Sequence, residues 1–239
     1  MNSAPLVAGR TRALLVDFDG DSSRKAASGN NHFWQNNCGV PVELVVQREW
    51  GYYAPAAIGL TVRGLAERGL TPLLLGGGHS LTYHAVAELC HCYGALNILH
   101  FDAHHDRYRV ARLSHYSVMS RLQADLPVAV TSLGVRFEVE HAVPLARPPY
   151  AGAPWYITID VDYFSPALVG SVMHPVELSG PPVGVPEVVA HIRDRVGDAG
   201  IVGADIVEWI EPRATDKERA FVSSLIDALT AELESHPCN

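Results

Sequence analysis

The stretch Leu96-Asn-Ile-Leu-His-Phe-Asp-Ala-His-His-Asp106 joins a short apolar run to four metal-ligand side chains packed into five residues. A continuous apolar run of this length is the pattern of a strand covered on both faces, as in a parallel sheet. Six more runs have the same character: Ala13–Phe18, Val42–Val46, Pro72–Leu75, Val128–Val135, Trp155–Val161 and Ile201–Val207. Longer amphipathic stretches separate them, at Pro55–Arg68, Ser80–Cys92, Tyr116–Ala124 and Pro186–Val196, and Asp216–Glu234 closes the chain with Leu225, Leu229 and Leu233 on one helical face. Gly69, Gly94 and Gly197 follow three of these stretches and Pro186 opens one, the usual asymmetry of helix ends. Strand-then-helix repetition predicts an α/β fold, a three-layer αβα domain over 1–239 with a mainly parallel central sheet. Gly20–Asn37, polar and carrying Phe33 and Trp34, and the Pro- and Gly-rich Gly170–Gly184 break the pattern and are expected as long loops, the first a lid or an interface.

At 239 residues, 48% hydrophobic and 18% charged, the chain has material for one sizeable core. Its net charge of -8 argues against nucleic acid, which selects a basic face, and suits a cationic small molecule. Met1–Arg12 lacks a long apolar region and no run is long enough to span a bilayer, so a cytoplasmic protein with no membrane partner is expected. Cys38, Cys90, Cys92 and Cys238 are too sparse for a disulfide scaffold, and Cys90-His91-Cys92 has no second pair at zinc-finger spacing.

The polar clusters fall where predicted strands end. Leu73–Leu75 runs into Gly76-Gly-Gly-His79-Ser80, Ile98–Phe101 into Asp102, His104, His105 and Asp106, Tyr156–Ile159 into Asp160 and Asp162, and Ile201–Val207 into Glu208. In open parallel sheets, ligands bind in the crevice beyond the carboxyl ends of the strands. If the backbone stays extended, Asp102, His104 and Asp106 share one side, as do Asp160 and Asp162. So many carboxylates at one edge repel one another unless cations lie between them, which implies metal, and two ions rather than one. Mixed imidazole and carboxylate donors suit Mn²⁺ better than the thiolate-seeking structural zinc.

The Gly-Gly-Gly-His-Ser run at 76–80, the Asp-Ala-His-x-Asp run at 102–106 and Thr158-Ile-Asp160-Val-Asp162 resemble the three signature motifs of the arginase/agmatinase (ureohydrolase) family, in that order. Gly203-Ala-Asp205-Ile-Val-Glu208 resembles a fourth. The resemblance covers roughly residues 55–235 and implies an arginase-like fold, a homo-oligomer and hydrolysis of a guanidino group to urea and an amine such as ornithine. Carried over by position, it makes His79, Asp102, His104, Asp106, Asp160 and Asp162 the ligands of two Mn²⁺ ions, with Asp102 and Asp162 among the bridging carboxylates. It makes Glu208 the guanidinium anchor and His115 the proton shuttle, with Asp106 completing the catalytic set. His105, Arg107, Tyr108, Arg109, Arg112 and Arg136 are candidates for the substrate mouth, or equally solvent-facing side chains.

Departures from the pattern accompany the resemblance. Gly78 stands where the family has an Asp, and Ser165-Pro166 where it has Asp-Pro. The loop from Asp106 to His115 is short, and the span from Asp106 to Asp160 is short enough to lack a strand–helix unit. Weakened grips on a free amino acid point toward arginine within a peptide as the substrate. Two rival readings stand beside this one. Leu14-Leu-Val-Asp17-Phe-Asp19-Gly-Asp21 resembles the first motif of haloacid-dehalogenase-type phosphatases, with Asp17 as nucleophile and Asp19 as acid/base. The other is an arginase-like shell that binds a guanidino ligand without turning it over.

Overall fold

The computed structural model describes residues 9–17, 31–46, 50, 53–136, 142–144, 147–177 and 183–238. In chain order the strands are β1 (Thr11–Val16), β2 (Val42–Val46), β3 (Thr71–Leu75), β4 (Leu96–Phe101), β5 (Val128–Leu133), β6 (Trp155–Asp160) and β7 (Ile201–Val207). The helices are α1 (Asn31–Asn37), α2 (Ala54–Glu67), α3 (Leu81–Tyr93), α4 (Val118–Asp125), α5 (Val185–Val196) and α6 (Asp216–Ser235). The strands form one seven-stranded sheet, ordered β2-β1-β3-β7-β6-β4-β5. Every strand pairing is parallel, so all carboxyl ends emerge at one edge.

Alternate residues of each strand feed two separate cores. Leu73, Leu75, Leu99 and Phe101 pack with α5 and α6 on one face, while Leu74, Leu96 and Ile98 pack with α2, α3 and α4 on the other. That is why the strands read as unbroken apolar runs: neither face meets water. The result is the expected three-layer arrangement. Between Leu133 and Trp155 the described residues form no helix or strand, in keeping with the shortened span.

Two expectations need correction. Residues 31–37, read as loop, form α1, and Trp34 is fully buried rather than part of a lid or interface. Its ring packs 5.1 Å from that of Trp209 and 5.4 Å from Phe33, so tertiary burial outweighs a run of asparagines with poor helix propensity. The rest of that expected loop, residues 20–30, lies outside the described residues. The backbone at 103–104 also bends instead of staying extended, so period-two alternation is not what gathers the second motif.

Gly76 shows what the first motif's glycines do. It sits at φ +94°, and a Cβ there would lie 2.7 Å from both the Trp34 indole nitrogen and the Val16 carbonyl. Gly76→Ala therefore combines left-handed strain with a clash against backbone. It should destabilise the protein by about 2–4 kcal/mol, read from the midpoint of a urea melt followed by tryptophan fluorescence. A shift under about 0.5 kcal/mol would contradict this account of the turn.

Candidate metal centre

The four motifs leave four neighbouring strands, β3, β7, β6 and β4, and their side chains meet at the shared carboxyl edge. Two groups suited to holding an ion form there: His79, His100, Asp102 and Asp106, and Asp102, His104 and Asp162, each with its ligand atoms within 4.8 Å of one another. Asp102 belongs to both. Asp160 joins the first group through its Oδ2, 3.6 Å from His79 Nδ1, and its Oδ1 accepts a hydrogen bond from the Asp162 backbone at 2.9 Å. Asp162 faces His104, whose Nδ1 is 2.7 Å from Asp162 Oδ2. All six residues expected as ligands are thus together, with Asp102 as the shared carboxylate and Asp162 in the second group only.

His79 carries the test of whether a cation fits. Thr158 donates its hydroxyl to Asp205 at 2.6 Å, so toward the His79 ring, 2.9 Å away, it accepts from Nε2. Thr82 and Tyr156 also donate to Asp205, at 2.7 and 2.8 Å, and fix it as the anchor of this relay. Nδ1 is then the bare nitrogen. It is buried without a hydrogen bond and faces carboxylate oxygens of Asp106, Asp102 and Asp160 at 3.0, 3.3 and 3.6 Å. A nitrogen facing three carboxyl groups calls for positive charge between them, a proton in the metal-free fold or a metal ion, and a hydrogen-bonded far nitrogen is the usual setting of a metal-binding imidazole. The donor set, imidazole nitrogens and carboxylate oxygens with no thiolate, fits divalent ions of the borderline-to-hard kind.

The proton affinities express the same demand. Burial would lower His79, but the Asp102 and Asp106 carboxylates beside Nδ1 raise it well above 6.5. Burial likewise opposes a proton on His104, yet Asp102 and Asp162 push it up to about 10. Burial and the Asp102 charge raise Asp106 to about 7 and Asp162 to about 6, and burial with the Asp162 and Glu208 charges raises Asp160. Asp102 is the exception: burial would raise it, but hydrogen bonds from His100, His104 and His79 hold it well below 3.8.

A cleft of about 540 Å³ opens onto the cluster, lined at its base by His104, Asp106, Asp160 and Glu208 and higher up by Tyr108, Arg109, Val110, His115, Tyr116 and His174. Glu208 leaves β7 with φ +65° and its Oε1 accepts the His79 backbone N–H at 3.1 Å. Asp106 has φ +46°; among the described residues these are the two non-glycine residues at positive φ, and both line this cleft. Such conformations cost energy and persist where surrounding structure imposes them, which makes them pointers to function. His115 opens a short 3-10 turn capped by Ser114. The loop before it folds back through Tyr108 N–H to the Tyr116 carbonyl at 3.1 Å and Met119 N–H to the Asp106 carbonyl at 2.9 Å.

Of the mouth candidates, His105, Tyr108 and Arg109 line the cleft. Arg107 instead donates to the Val143 carbonyl, Arg136 to the carbonyls of Val176, Tyr163 and Phe164, and Arg112 is exposed. Asp17, the nucleophile of the phosphatase reading, follows β1 and belongs to neither ion-holding group, and Asp19 lies outside the described residues.

Four residues went unassigned in the sequence. His100, buried in β4, lies 2.9 Å from Asp102 Oδ2 through Nε2 and 2.9 Å from Ser132 through Nδ1; a histidine inside an apolar run was its signal. Thr158 and Asp205 were quoted within motifs but given no role. His174 left no signal, because it comes from the irregular 170–184 segment. Glu218 of α6 fixes the start of that segment by accepting from Gly170 and Ser171 N–H at 2.7 and 3.1 Å. The His174 ring then lies 6.5 Å from His115 and 6.2 Å from His104.

Comparisons with known proteins bear on family and fold. The Arginase family profile matches residues 46–146, a span holding the first two motifs. Arginase 1 of Arabidopsis thaliana mitochondria is 31% identical over 199 residues, 71% of this chain and 57% of that protein. An agmatinase of Bacillus subtilis is 30% identical over 172 residues, 62% of this chain and 58% of that protein. The chain thus matches somewhat under three fifths of these relatives' length. Among solved structures, an arginase from Medicago truncatula superposes with a TM-score of 0.73 at 21% identity, covering 95% of this chain and 87% of that one. Proclavaminate amidino hydrolase from Streptomyces clavuligerus gives 0.72 at 18% identity, covering 95% and 91%. These two likenesses speak to the fold. With the motif order, the profile match and the curated relatives in agreement, the chain belongs to the arginase/agmatinase family.

Proposed function

We propose that this chain is a binuclear-metal amidinohydrolase that converts a guanidino compound to urea and an amine. The observation that carries the reading is the pair of carboxylate–imidazole groups sharing Asp102 at the base of a cleft whose wall holds Glu208 and His115. The proposed ions are two Mn²⁺, held by His79, Asp102, Asp106 and Asp160 on one side and by Asp102, His104 and Asp162 on the other. When bound, such a pair supplies the Lewis acidity that makes water a nucleophile near neutral pH.

The residues around it supply the rest. A guanidinium is always charged in water and a poor electrophile, so it must be held and aligned. Glu208 does this with a charge-assisted hydrogen bond, its backbone and one carboxylate oxygen already fixed by Gly77 and His79. His115, on the cleft wall, delivers a proton to the departing amine, since an imidazole can carry one at neutral pH. The substrate class includes free guanidino compounds and arginine within a peptide; free arginine would give ornithine as the amine, and peptidyl arginine a peptidyl ornithine.

The test is urea release from metal-loaded protein, screened over arginine, agmatine, ω-guanidino acids and arginine-containing peptides. Urea should appear with at least one, and Glu208→Gln should lower kcat/KM about 100-fold. Protein that holds two ions yet forms no urea from any of them would support the non-catalytic binding shell instead.

A further inference from the structure

We propose that the cleft takes guanidino compounds whose far end is an aromatic ring, and that Tyr108 and Tyr116 are the specificity residues that hold it. This rests on the guanidino-hydrolase reading and adds the chemistry of the substrate's outer part.

Five ring contacts join side chains of the cleft wall into one series. Centroids lie 4.7 Å apart for His105 and Tyr108, 5.9 Å for Tyr108 and Tyr116, and 4.9 Å for Tyr116 and His115. His174 continues the series, 6.5 Å from His115 and 6.2 Å from His104. All six residues line the cleft. The rings thus climb from the proposed ligand His104 to a mouth where Tyr108 and Tyr116 are still 36% and 39% exposed. That is apolar surface a ligand can cover. The two tyrosine planes cross at 79°, so a third ring against them meets one by its face and the other by its edge, both arrangements that aromatic pairs prefer.

The wall is fixed before a ligand arrives. Tyr108 N–H donates to the Tyr116 carbonyl at 3.1 Å, the Ser120 hydroxyl to the Tyr108 carbonyl at 2.8 Å, and Arg107 N–H to His105 Nδ1 at 2.9 Å. Across the cleft, Trp209 Nε1 donates to the Ser171 hydroxyl at 2.9 Å and Ile210 N–H to the Ser171 carbonyl at 2.8 Å. With Glu218, these bonds set the segment that carries His174. Side chains already held in place lose little entropy on binding. Of the other upper lining residues, Val110 is apolar and Arg109 is exposed. An ion pair to Arg109 stays in water and adds little, so the rings decide what the outer cleft prefers. A matching substrate carries its cation inward, toward the buried Asp106, Asp160 and Glu208, and an aromatic group outward.

Three guanidines with one four-carbon linker isolate the effect: 4-phenylbutylguanidine, butylguanidine and agmatine. Both kcat/KM for urea release and Kd by calorimetry are measured on metal-loaded protein, so the preference is read even without turnover. The phenyl compound should exceed the other two by about 10- to 100-fold. Because the preference is apolar, it should persist in 0.5 M salt. The double variant Tyr108→Ser, Tyr116→Ser should bring the phenyl compound within about threefold of butylguanidine, whereas Tyr108→Phe, Tyr116→Phe should keep the preference. Serine variants that merely loosen the fold would weaken all three compounds together and leave their ratio intact, and that result overturns the proposal. So does a wild type that takes butylguanidine or agmatine as well as the phenyl compound. If none of the three binds or releases urea while metal is bound, the amidinohydrolase reading falls with it; if butylguanidine reacts, that reading stands whatever the tail preference.

Discussion

Asp102→Asn should remove both proposed ions at once, taking metal content from about two per chain to well under one and lowering urea release at least about 1,000-fold. The basis is that Asp102 is the residue shared by the two ion-holding groups. Its Oδ2 lies by His79 and His100 and its Oδ1 by His104, so each side loses an anionic donor. Asp162→Asn provides the contrast. Asp162 sits in the His104 group only, so that variant should keep the ion on the His79 side and lose the other. Metal analysis after gel filtration, beside a circular dichroism spectrum to confirm folding, separates the cases. Asp102 accepts from His100 Nε2 and from the His104 backbone N–H on separate oxygens, and the single oxygen of asparagine keeps one of these two contacts. Two ions retained by folded Asp102→Asn would rule out the shared-carboxylate arrangement.

The central position of Asp102 also explains why its proton affinity differs from that of its neighbours. Asp106 and Asp162 are raised by burial and by the Asp102 charge, and Asp160 by burial and by the Asp162 and Glu208 charges. Asp102 accepts hydrogen bonds from His100 and His104, lies beside the His79 ring and stays ionised. His100 is itself lowered by burial against the pull of Asp102, so it is neutral and donates Nε2–H to the carboxylate while Ser132 donates to Nδ1. One fixed anion at the centre with protonatable groups around it is an arrangement in which cations take the place of protons.

The strand layout was legible because burial on both sheet faces imposes unbroken apolar runs; each of the seven runs became a strand with bounds differing by two residues or fewer. Ligand positions were legible for a related reason. A carboxylate or imidazole just past a buried strand must point into the crevice at the sheet edge, as His79, Asp102, Asp160 and Glu208 do. What stayed hidden depends on long-range packing. Helix α1 exists because Trp34 finds Trp209 in the core, which no local propensity reveals. The gathering of Asp102, His104 and Asp106 comes from a bend and a positive φ at Asp106, not from strand periodicity. His174 reaches the cleft because Glu218, more than forty residues later in the chain, pins the loop before it. The polar supports inside strands, His100, Thr158 and Asp205, were visible as exceptions to the apolar pattern, but their partners lie on adjacent strands.

Metal binding should stabilise the protein strongly at pH 7.5 and only weakly at pH 5.5, with protons released as the ions enter. The sign follows from the proton affinities. In the metal-free fold Asp106 titrates near about 7 and Asp162 near about 6, with Asp160 raised too, against an ordinary value of 3.8. Folded protein thus holds protons that the unfolded chain has lost, and metal-free stability from these groups is full below about 4 and falls as pH rises through 7. His104, raised to about 10, and His79, also raised, act in the same direction above their ordinary 6.5. Asp102, held low, has the opposite sign but gives up its contribution only in acid below this window. Every proton on these groups occupies a donor that an ion needs, so affinity must climb with pH. At a free metal concentration a thousandfold above Kd, each ion adds about 4 kcal/mol, so two should raise Tm by roughly 10 °C or more for a chain of this size. Differential scanning calorimetry with and without Mn²⁺ at the two pH values reads the effect, and titration calorimetry in buffers of unlike ionisation enthalpy counts the protons. A metal-induced Tm shift that is the same at pH 5.5 and 7.5, with no proton release, would mean that the ions bind somewhere other than this cluster.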